Sequence, residues 1–154
     1  MTEDQVQIAI RSAIDAVRHE VRPLDFEHAH ERSIAHRMAV HLEPHFVQEW
    51  DVDCEYDRDG QLQKALEGIK GCDTEKKTNG ILPDIIVHHR KGEGRAHNLL
   101  VIELKKNVKE DLCDRLKLEL LTRPRGHYQY QLGLYVNVDG GKFTRTWYSD
   151  GKKA

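Results

Sequence analysis

Ile81-Leu82-Pro83-Asp84-Ile85-Ile86-Val87 and Asn98-Leu99-Leu100-Val101-Ile102-Glu103-Leu104-Lys105-Lys106 are two apolar runs with carboxylates set into them. Their length and their content of Ile, Val and Leu suit central strands covered on both faces. The polar linker His89-Arg90-Lys91-Gly92-Glu93-Gly94-Arg95-Ala96 reads as the loop of a hairpin between them. Asp84 stands where the first strand begins, and Glu103 stands inside or at the end of the second. Alternation puts Leu99, Val101, Glu103 and Lys105 on one face, so a carboxylate and an ammonium emerge side by side from an apolar surface. Ionised groups in such a place need a partner or a metal, because leaving them unpaired costs several kcal/mol or forces their pKa values to move.

Upstream, the chain reads as two helices. Thr2 and Gln5 have capping-box spacing, Glu3 and Asp4 suit a helix N-terminus, and Val6, Ile10, Ala13, Ile14, Val17 and Val21 form one stripe that Pro23 ends. A second helix is expected over residues 25–42, with Ile34, Ala35, Met38, Ala39 and Leu42 at helical spacing, Glu31 on the same face, and Pro44 as the stop. From Phe46 the period changes to two: Trp50, Val52, Cys54 and Tyr56 alternate with Asp51, Asp53, Glu55 and Asp57, a half-buried strand closed by Asp59-Gly60. Leu62, Ala65, Leu66 and Ile69 suggest a short helix ended by Gly71, followed by a polar loop through Asn79-Gly80.

Downstream, a helix is expected over residues 109–121, with Leu112, Cys113, Leu116 and Leu120 on its apolar face, before Thr122-Arg123-Pro124-Arg125-Gly126 breaks it. Residues 131–138 and 142–148, separated by Asp139-Gly140-Gly141, read as a closing β-hairpin. The whole is a mixed α/β domain around one central sheet, with no repeat and no linker marking a second domain, so residues 1–154 form one unit.

If the two central strands are neighbours, Asp84 and Glu103 converge on a hard, oxygen-seeking divalent cation; Mg²⁺ typically takes one or two carboxylates plus waters and phosphate oxygens. Lys105, on the same side, could then position or polarise a water near a scissile phosphate. That is the logic of metal-assisted phosphodiester hydrolysis.

Pro83-Asp84, a gap of 18 residues, and then Glu103-Leu104-Lys105 resemble the PD-(D/E)xK nuclease superfamily, and the strings 82–88 and 98–106 resemble a group of small bacterial proteins of undefined role within it. The resemblance covers roughly residues 26–137. It implies a restriction-endonuclease-like fold with an αβββαβ core, to which this chain adds an N-terminal helix. It further implies a Mg²⁺- or Mn²⁺-dependent nuclease acting on DNA, RNA being an alternative substrate, with Asp84 and Glu103 as metal ligands, Lys105 as the catalytic lysine and Glu31 completing the metal site. Asp114 and Lys117 resemble a polar pair that the narrower group carries after the motif. Gln131 and Tyr135 have the spacing of a pair found on a helix in helicase-associated members, but here they fall in a strand-like stretch and take no such role. Because such a fold can keep its carboxylates without activity, a non-catalytic module that binds nucleic acid or protein is the alternative function.

Charge and composition bear on partners. Residues 1–60 hold 6 Lys/Arg against 14 Asp/Glu, whereas residues 61–154 hold 18 against 12, so the net charge of −2 hides a dipolar chain. Lys106, Lys109, Arg115, Lys117, Arg123 and Arg125, with His88 near the strand end, form either a rim for a nucleic-acid backbone or a solvated face of alternating charges. Tyr128 and Tyr130 serve either base stacking or the core. A protein of this size often needs a second subunit, as a homodimer or in a larger complex, to cut both strands. Cys54, Cys72 and Cys113 make neither a zinc signature nor a disulfide framework, and the ten histidines offer no compact ligand pair. With no membrane-spanning run and no secretory signal, a reducing cytoplasm is the expected compartment.

Overall fold

The apolar stripes of the sequence become the two faces of a six-stranded sheet. The computed structural model describes residues 1–20, 22, 25–54, 61–67, 69, 70, 72 and 82–154, the side chains of 61–63 excepted. The expectations at Val21, Pro23, Glu55, Tyr56, Asp57, Asp59-Gly60, Gly71, Asn79-Gly80 and Ile81, and at the Leu62 side chain, lie outside the described residues.

In chain order the elements are α1 (Glu3–Glu20), α2 (Asp25–His28), α3 (Glu31–Phe46), β1 (Asp51–Cys54), α4 (Gln61–Leu66), β2 (Ile85–His88), a 3₁₀ turn (Arg95–His97), β3 (Asn98–Lys106), α5 (Leu112–Leu121), β4 (Leu132–Asp139), β5 (Lys142–Ser149) and β6 (Lys152–Lys153). The strands lie in sequence order, β3 and β4 are parallel, and every other pair is antiparallel. No helix among the described residues is long and apolar enough to cross a membrane.

The capping box forms as expected: Thr2 N–H donates to Gln5 Oε1 at 2.8 Å and Gln5 N–H to Thr2 Oγ1 at 3.3 Å. Behind it Val6, Ile10, Ala13, Ile14 and Val17 are buried with α3's Ile34, Ala35, Met38, Ala39 and Leu42 against Ile85, Val87, Leu100, Ile102 and Leu104 of the sheet. Each fully buried Val, Leu or Ile contributes roughly 1.5–3 kcal/mol, so this layer carries most of the apolar driving force.

The second expected helix is in fact two. It breaks at Ala29 and His30, where His30 turns extended (φ −69°, ψ 147°) ahead of Glu31. Nor does Pro44 stop it: α3 runs on to Phe46, because a proline so close to the C-terminus forfeits one hydrogen bond while Phe46 gains full burial. The strand therefore begins at Asp51 and not near Phe46.

On the opposite face α5 covers Ile86, Val101, Tyr135 and Tyr148. It starts at Leu112, three residues later than expected, because Asp111 is extended and its carboxylate caps Asp114 N–H at 3.0 Å. Its buried face also differs from the apolar stripe: Cys113, Asp114, Lys117, Leu118 and Leu121 point inward, while Leu112 is exposed. The sulfurs of Cys72 and Cys113 are joined, against the expectation of no disulfide, and tie the segment after α4 to the first turn of α5.

Two glycines decide local geometry. Gly151 (φ 77°), with Asp150 (φ 50°), makes the two-residue turn that adds β6, an element the sequence reading lacked although Asp-Gly is a strong hairpin signal. In the β2–β3 connection, a Cβ on Gly92 would stand 2.2 Å from the His97 ring, which itself faces His89 Nδ1 at 2.9 Å. Gly92→Ala is expected to cost about 1–3 kcal/mol in urea unfolding, as overpacking does; a midpoint unchanged from the parent would show that the loop yields freely.

Candidate functional site

Glu103 is carried into the interior by the regular alternation of β3. Ile85 pairs with Ile102, so the next residue outward on each strand brings Asp84 beside Glu103. β3 continues past the start of β2, and the Leu104 N–H at that point donates to Asp84 Oδ2 at 2.7 Å. A side chain thus completes the ladder where the strand has not yet begun, which fixes the Asp84 carboxylate against β3. On the other side of β3, Glu103 is in register with Tyr135 of β4.

α5 closes the site from above. Lys117 Nζ donates to Glu103 Oε2 at 2.8 Å and lies 2.9 Å from Asp114 Oδ1, all three groups being essentially inaccessible. Lys105, two residues beyond Glu103 and only partly exposed, reaches 3.7 Å from Asp114 Oδ2. The site therefore holds three carboxylates, Asp84, Glu103 and Asp114, against two ammonium groups. Glu103 Oε1 is buried and finds no hydrogen-bond partner among the described residues.

These positions set the electrostatics. Burial pushes Asp84 up to about 6, opposed by the Leu104 N–H and the Lys117 charge. Burial also drives Glu103 well above the usual carboxylate range, while Lys117 pulls it back. For Lys117 burial favours the neutral amine, but Glu103 and Asp114 more than offset it and hold the ammonium charged. Lys105 likewise loses solvent, yet Asp114 and Glu31 raise it. Tyr135, whose hydroxyl donates to Val108 O at 2.7 Å, is raised by burial and by Asp114. A carboxylate cluster under this much desolvation favours the uptake of positive charge.

Of the sequence candidates, Asp84, Glu103 and Lys105 come together on one face. Glu31 stands at the first residue of α3, its Oε2 accepting the Lys106 N–H at 3.1 Å, two residues along β3 from the Leu104 N–H that holds Asp84, and close enough to act on Lys105. Among the described residues no three His, Cys, Asp or Glu side chains are arranged to hold a metal ion. The donor set nevertheless fits a hard cation that needs few protein ligands: Asp84 and Glu103 are adjacent, and Glu103 has a buried oxygen that no described residue uses. Asp114 and Lys117, which the resemblance singles out as a polar pair without a role, turn out to face inward beside Glu103; their i, i+3 spacing on one helix face is the sequence signal for such a pair.

Several proposed nucleic-acid contacts are corrected. Lys117 is buried in the ion cluster and cannot belong to a rim. Lys106 Nζ donates to the carbonyls of Glu27 and Ala29, satisfying the end of α2. Arg115 lies between Glu110 and Glu119 at 3.9 and 3.4 Å. Tyr130 is core, and Tyr128 packs against the same cluster, so neither offers a free face for stacking. Lys109, Arg123 and Arg125 remain on the surface.

His88, a candidate for the rim, is fully buried, and its Nε2 meets Asp53 Oδ2 at 2.8 Å. Arg90 clamps the same carboxylate through Nε and Nη2 at 2.9 and 2.8 Å, and this pairing, opposed by burial and helped by His88, holds Asp53 below the usual range. A depressed carboxylate stabilises the fold above its unfolded pKa and loses that contribution as pH falls through the folded value. Asp53→Asn is therefore expected to cost about 1–3 kcal/mol at pH 7, with the difference from the parent beginning to shrink below the ordinary aspartate value of 3.8 and vanishing only below the lowered value of the folded protein. Chemical denaturation at the two pH values checks it; an equal loss at both would refute the electrostatic cause.

No protein-family model, curated protein or solved structure matches the chain.

Proposed function

We propose that this chain is a Mg²⁺- or Mn²⁺-dependent nuclease that hydrolyses phosphodiester bonds of DNA on a restriction-endonuclease-like fold. The observation that carries the reading is the carboxylate pair: Glu103 is buried on a central strand with one oxygen unpartnered among the described residues, and Asp84 is locked beside it by the Leu104 N–H. Structural carboxylates in a core are normally satisfied, so an unused buried oxygen next to a second carboxylate points to a ligand. The order α3, β1, β2, β3, α5, β4, with the short α4 inserted between β1 and β2, supports the αβββαβ core that the motif implies.

In this reading Asp84 and Glu103 hold the ion and Glu31 supports the site from the start of α3. A divalent ion bound there supplies charge neutralisation at the phosphodiester and lowers the pKa of water. Lys105, raised in pKa and therefore charged, faces the same space and stabilises negative charge at the attacked phosphate. Asp114 orients Lys105 from α5.

One observation favours the non-catalytic alternative: Lys117 already pairs with Glu103 and Asp114, as a purely structural cluster would have it. Two measurements decide between them. Titration calorimetry with Mn²⁺ is expected to show binding that disappears in Asp84→Ala, and the parent is expected to cleave DNA in Mg²⁺ or Mn²⁺. A protein that neither binds Mn²⁺ nor cleaves would leave the binding-module reading.

A further inference from the structure

Lys117 reaches the interior from α5, and its Nζ stands between carboxylates carried by two different elements, 2.8 Å from Glu103 Oε2 and 2.9 Å from Asp114 Oδ1. All three side chains are at most 3 % exposed. Asp114 is held by positive charge from both sides, with Lys105 Nζ 3.7 Å from its Oδ2, and among the described residues no backbone or hydroxyl donor reaches either of its buried oxygens. Glu103 Oε1 is likewise buried without a donor among the described residues. Glu103 therefore gives one oxygen to an ammonium and keeps the other for a different partner. Two-ion centres for phosphoryl chemistry hold their cations roughly 3.5–4 Å apart, a spacing that the two oxygens of one carboxylate can bridge.

We infer that the Lys117 ammonium fills the second of two cation seats, between Glu103 and Asp114, so that the centre takes a single divalent ion and a side chain replaces the other. The inference rests on the cation site of the nuclease reading and adds how many ions that site takes. Charge speaks against a second ion. Asp84, Glu103 and Asp114 exceed Lys105 and Lys117 by one negative charge, so one divalent ion leaves the cluster with one positive charge, the match of one phosphodiester. A second ion beside the retained ammonium brings in two more positive charges, with no carboxylate of the cluster left to answer them. Hydration points the same way. Mg²⁺ gives up its waters reluctantly, and a seat closed over by α5 has little room for them, whereas folding delivers the Lys117 ammonium already stripped of water. In this role Lys117 touches neither substrate nor ion; it is a positioning residue that holds Glu103 and Asp114 together.

The test is the number of Mn²⁺ ions bound by the full chain, read by titration calorimetry, with circular dichroism checking that each variant is folded at the metal concentrations used. The parent is expected to bind one ion, so its own count already puts the inference at risk without any variant. Lys117→Met, whose side chain is one atom shorter and leaves the place of Nζ open, is expected to bind two, and so is Lys117→Ala, which gives water more room. Adding Asp114→Asn to Lys117→Met is expected to return the count to one, because the vacated seat loses a carboxylate. Lys105→Met removes a positive charge that faces the same Asp114 from 3.7 Å but empties no seat, and is expected to stay at one. A merely structural Lys117 changes stability and leaves the count alone. The inference is overturned if the parent binds two ions, if both Lys117 variants bind one, or if Lys105→Met also binds two. A parent that binds no Mn²⁺ overturns the nuclease reading along with it, whereas one ion in the parent and in both Lys117 variants rejects only the ammonium seat. One ion in the parent and two in the Lys117 variants, with no cleavage of DNA by the parent, upholds the seat and rejects only the nuclease.

Discussion

Lys117→Met is expected to lower the stability of the fold by about 3–5 kcal/mol, the cost of removing one member of a buried ion cluster. Methionine fills nearly the same volume as the lysine stem, so little of that loss comes from packing. It comes from Glu103 and Asp114, which lose the ammonium 2.8 and 2.9 Å away and stay shut off from water. For a domain of this size the drop corresponds to a melting temperature lower by roughly 6–20 °C. Urea unfolding measures it directly. A second protein, carrying Lys117→Met with Glu103→Leu and Asp114→Leu, is expected to regain most of the loss, because an apolar replacement of the whole cluster leaves no charge stranded. Equal destabilisation in both would show that the cavity shape, and not the charges, carries the effect. The parent's cluster is thus a cost accepted in the core, and such costs are usually kept for function.

Asp84→Ala and Glu103→Ala are each expected to reduce DNA cleavage in Mn²⁺ by on the order of a thousandfold, the upper range for deleting one electrostatic stabiliser of a transition state. Asp84→Ala removes a burial-strained carboxylate, whereas Glu103→Ala leaves the buried Lys117 with Asp114 alone and is expected to lose stability as Lys117→Met does, so circular dichroism alongside the assay checks that each variant is folded. Lys105→Ala is expected to lose on the order of a hundredfold, a proton- or charge-handling group in place of an ion ligand. Plasmid nicking followed over time reads all three. The same residual rate in the variants and the parent would end the nuclease reading, whatever the metal titration shows.

Period and punctuation carried much of the architecture. The α1 stripe with its capping box, the apolar runs of β2 and β3, and the β4–β5 hairpin all lie where alternation and Gly-containing turns put them. The errors came from tertiary terms that a one-dimensional pattern does not contain. The periodicity of residues 25–42 says nothing of the kink at His30, and Pro44 reads as a stop only if the gain from burying Phe46 is ignored. Likewise the leucines of α5 look like its core face until Asp114 and Lys117 are seen turned inward to meet Glu103.

The same distinction runs through the site. Asp84, Glu103 and Lys105 were legible because a charge inside an apolar strand is conspicuous. His88 keeps its place in the alternation of β2, but its ring is spent on Asp53, a cross-strand pairing that alternation alone does not reveal. The basic rim was misjudged because a count of lysines and arginines does not say which are already occupied; Lys106 spends its ammonium on the carbonyls of Glu27 and Ala29.

The Asp150-Gly151 turn has a consequence for solubility. It folds Lys152 and Lys153 back along β5, so the outermost described strand on that side of the sheet is two residues long and both are exposed lysines. A foreign strand approaching this border to continue the ladder meets paired positive charges and almost no backbone to zip onto, which is how sheets are kept from growing into aggregates. The turn therefore works as a stop against fibril-like addition at the flank of a sheet whose interior strands are among the most apolar segments of the chain.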